Sequence, residues 1–223
     1  MVRQVPAQRA EPIDKAPADA HVPGKVHLSE GRCQPPGALR IGSMVVLASL
    51  RRAKGRRAAA LAAYGRIIER ARDPAFYLAA EVPDSFDGRF ELLALHAFLV
   101  LHRLKREHAA SAIFAQELFD TMFADLDRTL REMGAGDLGV GPRIKAMARG
   151  FYGRIAAYER GLADEPALAA ALRRNLYGTA PAASEGAVAM MARYVQRQAA
   201  ALAALPLATL LDGGVAFAAT DLP

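Results

Sequence analysis

Tryptophan is absent from this 223-residue chain, aromatics reach only 7%, and there is one cysteine, Cys33. A single cysteine excludes an intramolecular disulfide and any zinc site built on several thiolates of one chain. A reducing, cytoplasmic setting fits that usage. Lysine is scarce, standing only at positions 15, 25, 54, 105 and 145, so arginine carries the positive charge; with so much alanine, this points to a GC-rich bacterial coding sequence. The apolar run Met44, Val45, Val46, Leu47 and Leu50 is too short to span a bilayer or to form a signal core. Glu11, Asp14, Asp19 and Glu30 argue against a presequence of mitochondrial type. No stretch alternates polar and apolar residues between strand flanks, so almost no sheet is expected. The P-loop, the dinucleotide-binding glycine pattern and the nucleophile elbow are missing. The sequence therefore offers no positive case for catalysis, and no cofactor, metal or small-molecule substrate is expected.

What is present is helical periodicity. Residues 87–162 organise the chain as three helices with two breaks. Residues 89–107 place Phe90, Leu93, Ala97, Val100 (or Leu101) and Leu104 three or four apart. Residues 110–133 do so with Phe119, Phe123, Leu126, Leu130 and Met133, widened by Ile113, Phe114, Leu118 and Met122. Residues 142–162 carry Ile144, Met147, Phe151, Ile155, Tyr158 and Leu162. Such spacing marks one buried face per helix, and three such faces close into a bundle. Between the last two helices, the glycines of 134–141 permit left-handed backbone and Pro142 presets a first turn.

Upstream, a helix over 58–72 should turn Leu61, Tyr64 or Gly65, and Ile68 inward; Asp73-Pro74 breaks it. Short aromatic-bearing elements around Phe76, Tyr77 and Phe86 should cap one end of the bundle. Downstream, Asp164 reads as an N-cap with Pro166 in the first turn; Leu168, Leu172 and Leu176 face inward and Gly178 ends the helix. A last helix from about residue 185 to 205 carries Val188, Met191, Val195 and Leu202. Pro206 interrupts it, and Asp212-Gly213-Gly214 stops the remainder. The expectation is an all-α fold: one bundle of about six to seven helices. Residues 1–43 hold six of the 13 prolines, mixed charge and no sustained period, which predicts a disordered, dispensable tail or an over-extended start. The domain is expected over 44–217, with 218–223 as a short tail.

The net charge of +6 and pI near 9.8 favour an anionic partner, nucleic acid or lipid. Arg51, Arg52, Lys54, Arg56 and Arg57 form the densest cluster. Its plain reading is a solvated face behind an ordinary helical turn; its sharper reading is contact with a membrane or another anionic surface. His96, His102 and His108 lie six apart, about 240° around a helix, so no two share a face for a metal. Glu117, Asp120 and Asp127 do share a face, but the Glu-x-x-His partners of a dinuclear site are missing. On the third helix, Lys145, Arg149, Tyr152 and Arg160 form a cationic stripe with an aromatic at its centre. Ala146, Gly150, Gly153, Ala157 and Gly161 form a ridge of small residues that admits a close neighbour, either another helix of the bundle or a partner's helix.

Several stretches resemble the ubiquinol–cytochrome c chaperone family: Leu118-Phe119-Asp120 with Met122-Phe123-Ala124-Asp125-Leu126-Asp127, then Arg131-Glu132-Met133-Gly134, Gly136-Asp137-Leu138-Gly139-Val140-Gly141, Ile144-Lys145 and Phe151-Tyr152-Gly153-Arg154. Asp87-Gly88-Arg89-Phe90, Leu95-His96-Ala97-Phe98-Leu99 and Arg174-Asn175-Leu176-Tyr177-Gly178 are similar to its bacterial members. The similarity runs from about residue 58 to 217. Pro142 departs from it, standing where a basic residue is expected. The resemblance implies a non-enzymatic, all-helical assembly factor for the cytochrome b–c complex. It implies binding of newly made cytochrome b; the partner-binding residues expected are Lys145, Arg149, Tyr152 and Arg160 of the stripe, with Arg154 from the family-like motif. The expected setting is cytoplasmic, either free or peripheral on the inner face of the cytoplasmic membrane. The other function class left open is an RNA- or ribosome-binding helical module that uses Arg51–Arg57 as its electrostatic footprint.

Overall fold

The computed structural model describes residues 38–134, 137–179 and 183–222, with side chains described from residue 49 on, those of 137 and 138 excepted. Among the described residues there are eight helices and no strand: α1 Ala38–Ala71, α2 Ala75–Leu78, α3 Phe86–Lys105, α4 His108–Glu132, α5 Asp137–Ala163, α6 Glu165–Asn175, α7 Glu185–Ala204 and α8 Leu207–Leu211. Six are long and two are single turns, which is the all-α bundle that the periodicity predicts. Chain contacts separate residues 1–41 from 42–223, and the bundle is that of the second unit. The expected tail lies outside the described residues over 1–37, and helix is already formed at Ala38, ahead of the boundary placed at Met44.

α3 is the axis of the bundle and packs against α4, α5 and α7. The sequence pattern assigns it one inward stripe, but the structure buries it on nearly every side. Leu92, Leu95, Phe98, Leu99 and Val100 are inaccessible, while Leu93 and Leu101 are only half-buried. A helix that is apolar all round belongs inside a bundle. The Ser85 hydroxyl caps it, accepting from Gly88 N at 3.1 Å, as Ser184 caps α7 by accepting from Ala187 N at 3.1 Å. Asp164 does precede α6, but its side chain makes no capping bond, and α6 ends at Asn175, before Gly178. Gly134 closes α4 with φ 83°, as expected of that glycine. α5 begins at Asp137, so Pro142 lies inside it and does not open it. Past the first turn, the proline removes the N–H that would bond the carbonyl four residues back, and its ring crowds that carbonyl.

α1 presents Ala60, Ala63, Tyr64, Ile67 and Ala71 to the core; Leu61, expected inward, is 62% exposed. Ile113 of α4 and Met133, just past its end, are likewise exposed, against the expected stripe. Small residues let α1 settle closely. Gly213 has φ 85°, and a Cβ there would stand 2.6 Å from the Ala59 carbonyl oxygen. Tyr64 donates to Asp125 Oδ2 of α4 at 2.9 Å. Burial, that hydrogen bond and the Asp125 charge together push the Tyr64 phenol far above its ordinary range.

Ala218 and Thr220, in the stretch expected as a short tail, are hydrogen-bonded to the bundle. Gln198 Oε1 accepts from Ala218 N at 2.8 Å, Arg197 donates to the Thr220 carbonyl at 2.8 Å, and the Thr220 hydroxyl donates to Asp73. Arg103 of α3, also buried, donates to the carbonyls of Leu202 and Leu205 at 3.1 and 2.8 Å, fastening the end of α7, where the Leu202 carbonyl also accepts from Leu205 N at 3.1 Å.

His96 is wholly buried. Its Nδ1–H donates to the Leu92 carbonyl at 2.7 Å, so Nε2 accepts from the Tyr194 hydroxyl at 2.7 Å; the rings of Phe76 and Phe217 stand edge-on at 5.4 and 5.3 Å. Burial brings its pKa down to about 4. The unfolded imidazole takes a proton near pH 6.5, whereas the folded one resists until about 4, so acidification through that window favours unfolding. The wild type should lose about 3 kcal/mol of stability from this group between pH 7 and pH 4. Urea unfolding across that range should show a flatter profile for His96→Gln. Parallel profiles for the two proteins would rule the buried imidazole out as the source.

Candidate partner-binding surface

The cationic stripe of the sequence lies on α5 and most of it faces solvent. Lys145, Arg149 and Arg160 are exposed and Tyr152 is 59% exposed. Among the described residues, none of the three cations is in an ion pair; Arg149 Nε makes only a long contact to the Lys145 carbonyl, 3.5 Å. Tyr152 is held from beneath. Its ring stacks on Phe119 at 5.6 Å and 27°, and Phe119 leans on Phe123 at 4.6 Å and on Phe151 at 5.9 Å. The tyrosine is thus the outermost ring of an aromatic cluster that joins α4 to α5. Its hydroxyl end is free to meet water or a partner.

Arg154 does not belong to this stripe. It turns inward and forms a two-pronged pair with Glu91 of α3: Nε donates to Oε2 at 2.6 Å and the second amino group to Oε1. The guanidinium also lies over Phe90, 5.5 Å from the ring centre. Burial pushes the Glu91 carboxyl up, and the Arg154 hydrogen bonds and charge oppose that shift. The same hydrogen bonds raise Arg154. The pair's role is structural. It is invisible in sequence because its partners lie 63 residues apart, although an acid inside the run Phe90-Glu91-Leu92-Leu93 is a signal of something buried there.

The ridge of small residues divides in the same way. A Cβ on Gly161 would stand 2.6 Å from Leu168 Cα, so this end is where α6 comes closest. One on Gly150 would stand 2.6 Å from the Arg154 guanidinium, so this glycine leaves room for the ion pair. Gly153 meets nothing within 4 Å and Ala146 is exposed. The ridge mainly serves packing within the chain.

A second open feature is a groove of about 920 Å³ walled by Tyr64, Tyr77, Phe86, Phe90, Leu93 and Met133. Leu78, at its edge, is 84% exposed. On α1, Arg51, Arg52, Lys54 and Arg57 are exposed and Arg56 is half-buried. His102 lies beside Glu159, Nδ1 to Oε1 3.6 Å, and His108 is exposed. Among the described residues no cluster of His, Cys, Asp or Glu is arranged to hold a metal. No helix among them is long and apolar enough to cross a membrane.

Fold and surface together define an all-helical protein that offers open faces and grooves. The sequence pattern of the family described as ubiquinol–cytochrome C chaperone matches residues 78–217. The chain belongs to the ubiquinol–cytochrome c chaperone family. It is similar to the crystal structure of the Cbp3 homolog from Brucella abortus, with a TM-score of 0.70 and 38% identity, over 79% of this chain and 98% of that one. It is 30% identical over 120 residues to ubiquinol-cytochrome c reductase complex assembly factor 1 of Mus musculus and of Homo sapiens. That match covers 53% of this chain but only 41% and 40% of theirs. The Xenopus laevis protein is 30% identical over 119 residues, 60% of its length.

Proposed function

We propose that this protein binds newly made cytochrome b as an assembly chaperone for ubiquinol–cytochrome c reductase, at the cytoplasmic face of the membrane, and acts without catalysis. The observation that carries the reading is the α5 face of a chain in this family: Tyr152 stands exposed among Lys145, Arg149 and Arg160, and no carboxylate of the described chain neutralises them. Internal packing needs Phe151 and Tyr158, but it gives no reason for uncompensated cations beside them. Such a face suits an acidic or carbonyl-rich surface, where opposite charge guides encounter and fixes register.

A strain lacking the gene should lose cytochrome b absorbance in a reduced-minus-oxidised spectrum of its membranes, along with quinol–cytochrome c activity, while other respiratory complexes persist. Normal assembly in that strain would refute the reading. Lys145→Glu with Arg149→Glu should leave stability within about 0.5 kcal/mol, as exposed substitutions do. The same double variant should fail to rescue the strain, because reversed charge repels where charge attracted. Full rescue by this stable variant would reduce the stripe to a solvated face.

A further inference from the structure

The basic cluster of α1 is not used by the α5 reading. From Ala38 to Ile68 the helix carries Arg40, Arg51, Arg52, Lys54, Arg56, Arg57 and Arg66 and no acid; Glu69 is the first. Arg51 and Lys54, and Lys54 and Arg57, are three apart, and Arg52 and Arg56 are four apart. Like charges at these spacings repel along a helix. A merely solvated face relieves such repulsion with interleaved acids, as α4 does with Asp127 and Arg131 at 2.7 Å. Here, among the described residues, no carboxylate pairs with Arg51, Arg52, Lys54 or Arg57.

The second observation is apolar. Leu50 and Leu61 are 60% and 62% exposed. They lie eleven residues apart, three helical turns, so they share one line along the helix. Lys54 and Arg57 fall on that line between them, at steps of four, three and four. The core-facing side of α1, through Ala60, Ala63, Tyr64 and Ile67, lies about a quarter turn away. Two leucines bracketing two long cations over roughly 16 Å make a face whose cations can reach up to phosphates while the leucines dip among acyl chains. A nucleic acid would meet the cations and leave the leucines in water.

We infer that this outer face of α1, Leu50 to Leu61, docks on an anionic lipid bilayer and lies in the headgroup plane. Leu50 and Leu61 enter the acyl boundary, and Arg51, Lys54 and Arg57 take the lipid phosphates. The inference goes beyond the client reading and stands apart from it, since vesicle binding is measured without the client and rescue is measured through cytochrome b.

The test is co-sedimentation of the full chain with vesicles. It should sediment with phosphatidylcholine vesicles that contain phosphatidylglycerol and stay in solution with phosphatidylcholine alone. Raising salt from about 0.1 to 0.5 M should weaken the binding. Lys54→Glu with Arg57→Glu should lower it at least tenfold. Leu50→Ser with Leu61→Ser should lower it about fivefold or more and leave binding to polyuridylate RNA unchanged. All four residues are exposed or on the exposed line, so both double variants should melt with the wild type. Equal sedimentation with neutral and anionic vesicles, or with neither, would overturn the inference. So would a leucine variant that binds vesicles like the wild type, which would leave an electrostatic surface open to nucleic acid.

Discussion

Arg154→Ala should lower the free energy of unfolding by about 3–5 kcal/mol. The size of the loss comes from the group left behind. Glu91 is buried on α3, its side chain only 8% exposed, and Arg154 satisfies both carboxylate oxygens. Without the guanidinium, the carboxylate must stay charged without a partner, take up a proton, or drag water into the bundle; each route costs free energy. Replacing both residues should be far milder, because the desolvation penalty disappears with the charges. Glu91→Leu with Arg154→Leu is expected to recover most of the loss. Urea unfolding followed by far-ultraviolet circular dichroism suits a chain without tryptophan. A loss under about 1 kcal/mol for Arg154→Ala would mean that water already shields the pair.

The adjacent aromatics Phe151 and Tyr152 should behave oppositely. Phe151 is inaccessible, in edge contact with Phe123 at 6.2 Å and near Phe119, so Phe151→Ala should cost about 3–5 kcal/mol through lost burial and the cavity that remains. Tyr152→Ala should cost about 1 kcal/mol or less, the worth of one exposed stacking contact, and should instead weaken rescue in the deletion strain. Equal stability losses would show that the two rings have been assigned to the wrong sides of α5. The comparison needs only two single variants and one unfolding curve for each.

Period and punctuation make much of this fold legible in the sequence alone. Gly134, Pro206 and Gly213 stand at helix ends where their backbone chemistry places them. The dominant run at residues 89–107 is indeed the centre of the bundle. Leu61 departs from the pattern because size is a poor guide to burial here: the inner stripe of α1 is largely alanine, which carries little area yet lets a neighbour come close. Ile113 and Met133 depart for a related reason, since a wide apolar stripe does not say where its edge meets solvent. The links between distant positions are out of reach of any such pattern. Tyr64 with Asp125, Glu91 with Arg154 and His96 with Tyr194 depend on which helices become neighbours, and a helical period carries no information about that. For the partner surface, the stripe at Lys145, Arg149, Tyr152 and Arg160 is readable from spacing. The inward turn of Arg154 is not, because a long arginine stem reaches the core from a position that looks peripheral on a wheel.

The seat of α1 against Gly213 has a consequence for a chain made from its N-terminus. The inner stripe of α1 leaves the ribosome early, but the glycine that closes on Ala59 emerges roughly 150 residues later, about 8–30 s at ordinary elongation rates. Throughout that interval Tyr64 and Ile67 have no finished seat. A protein of the chaperone family is therefore itself, while being made, a nascent chain with an uncovered apolar helix.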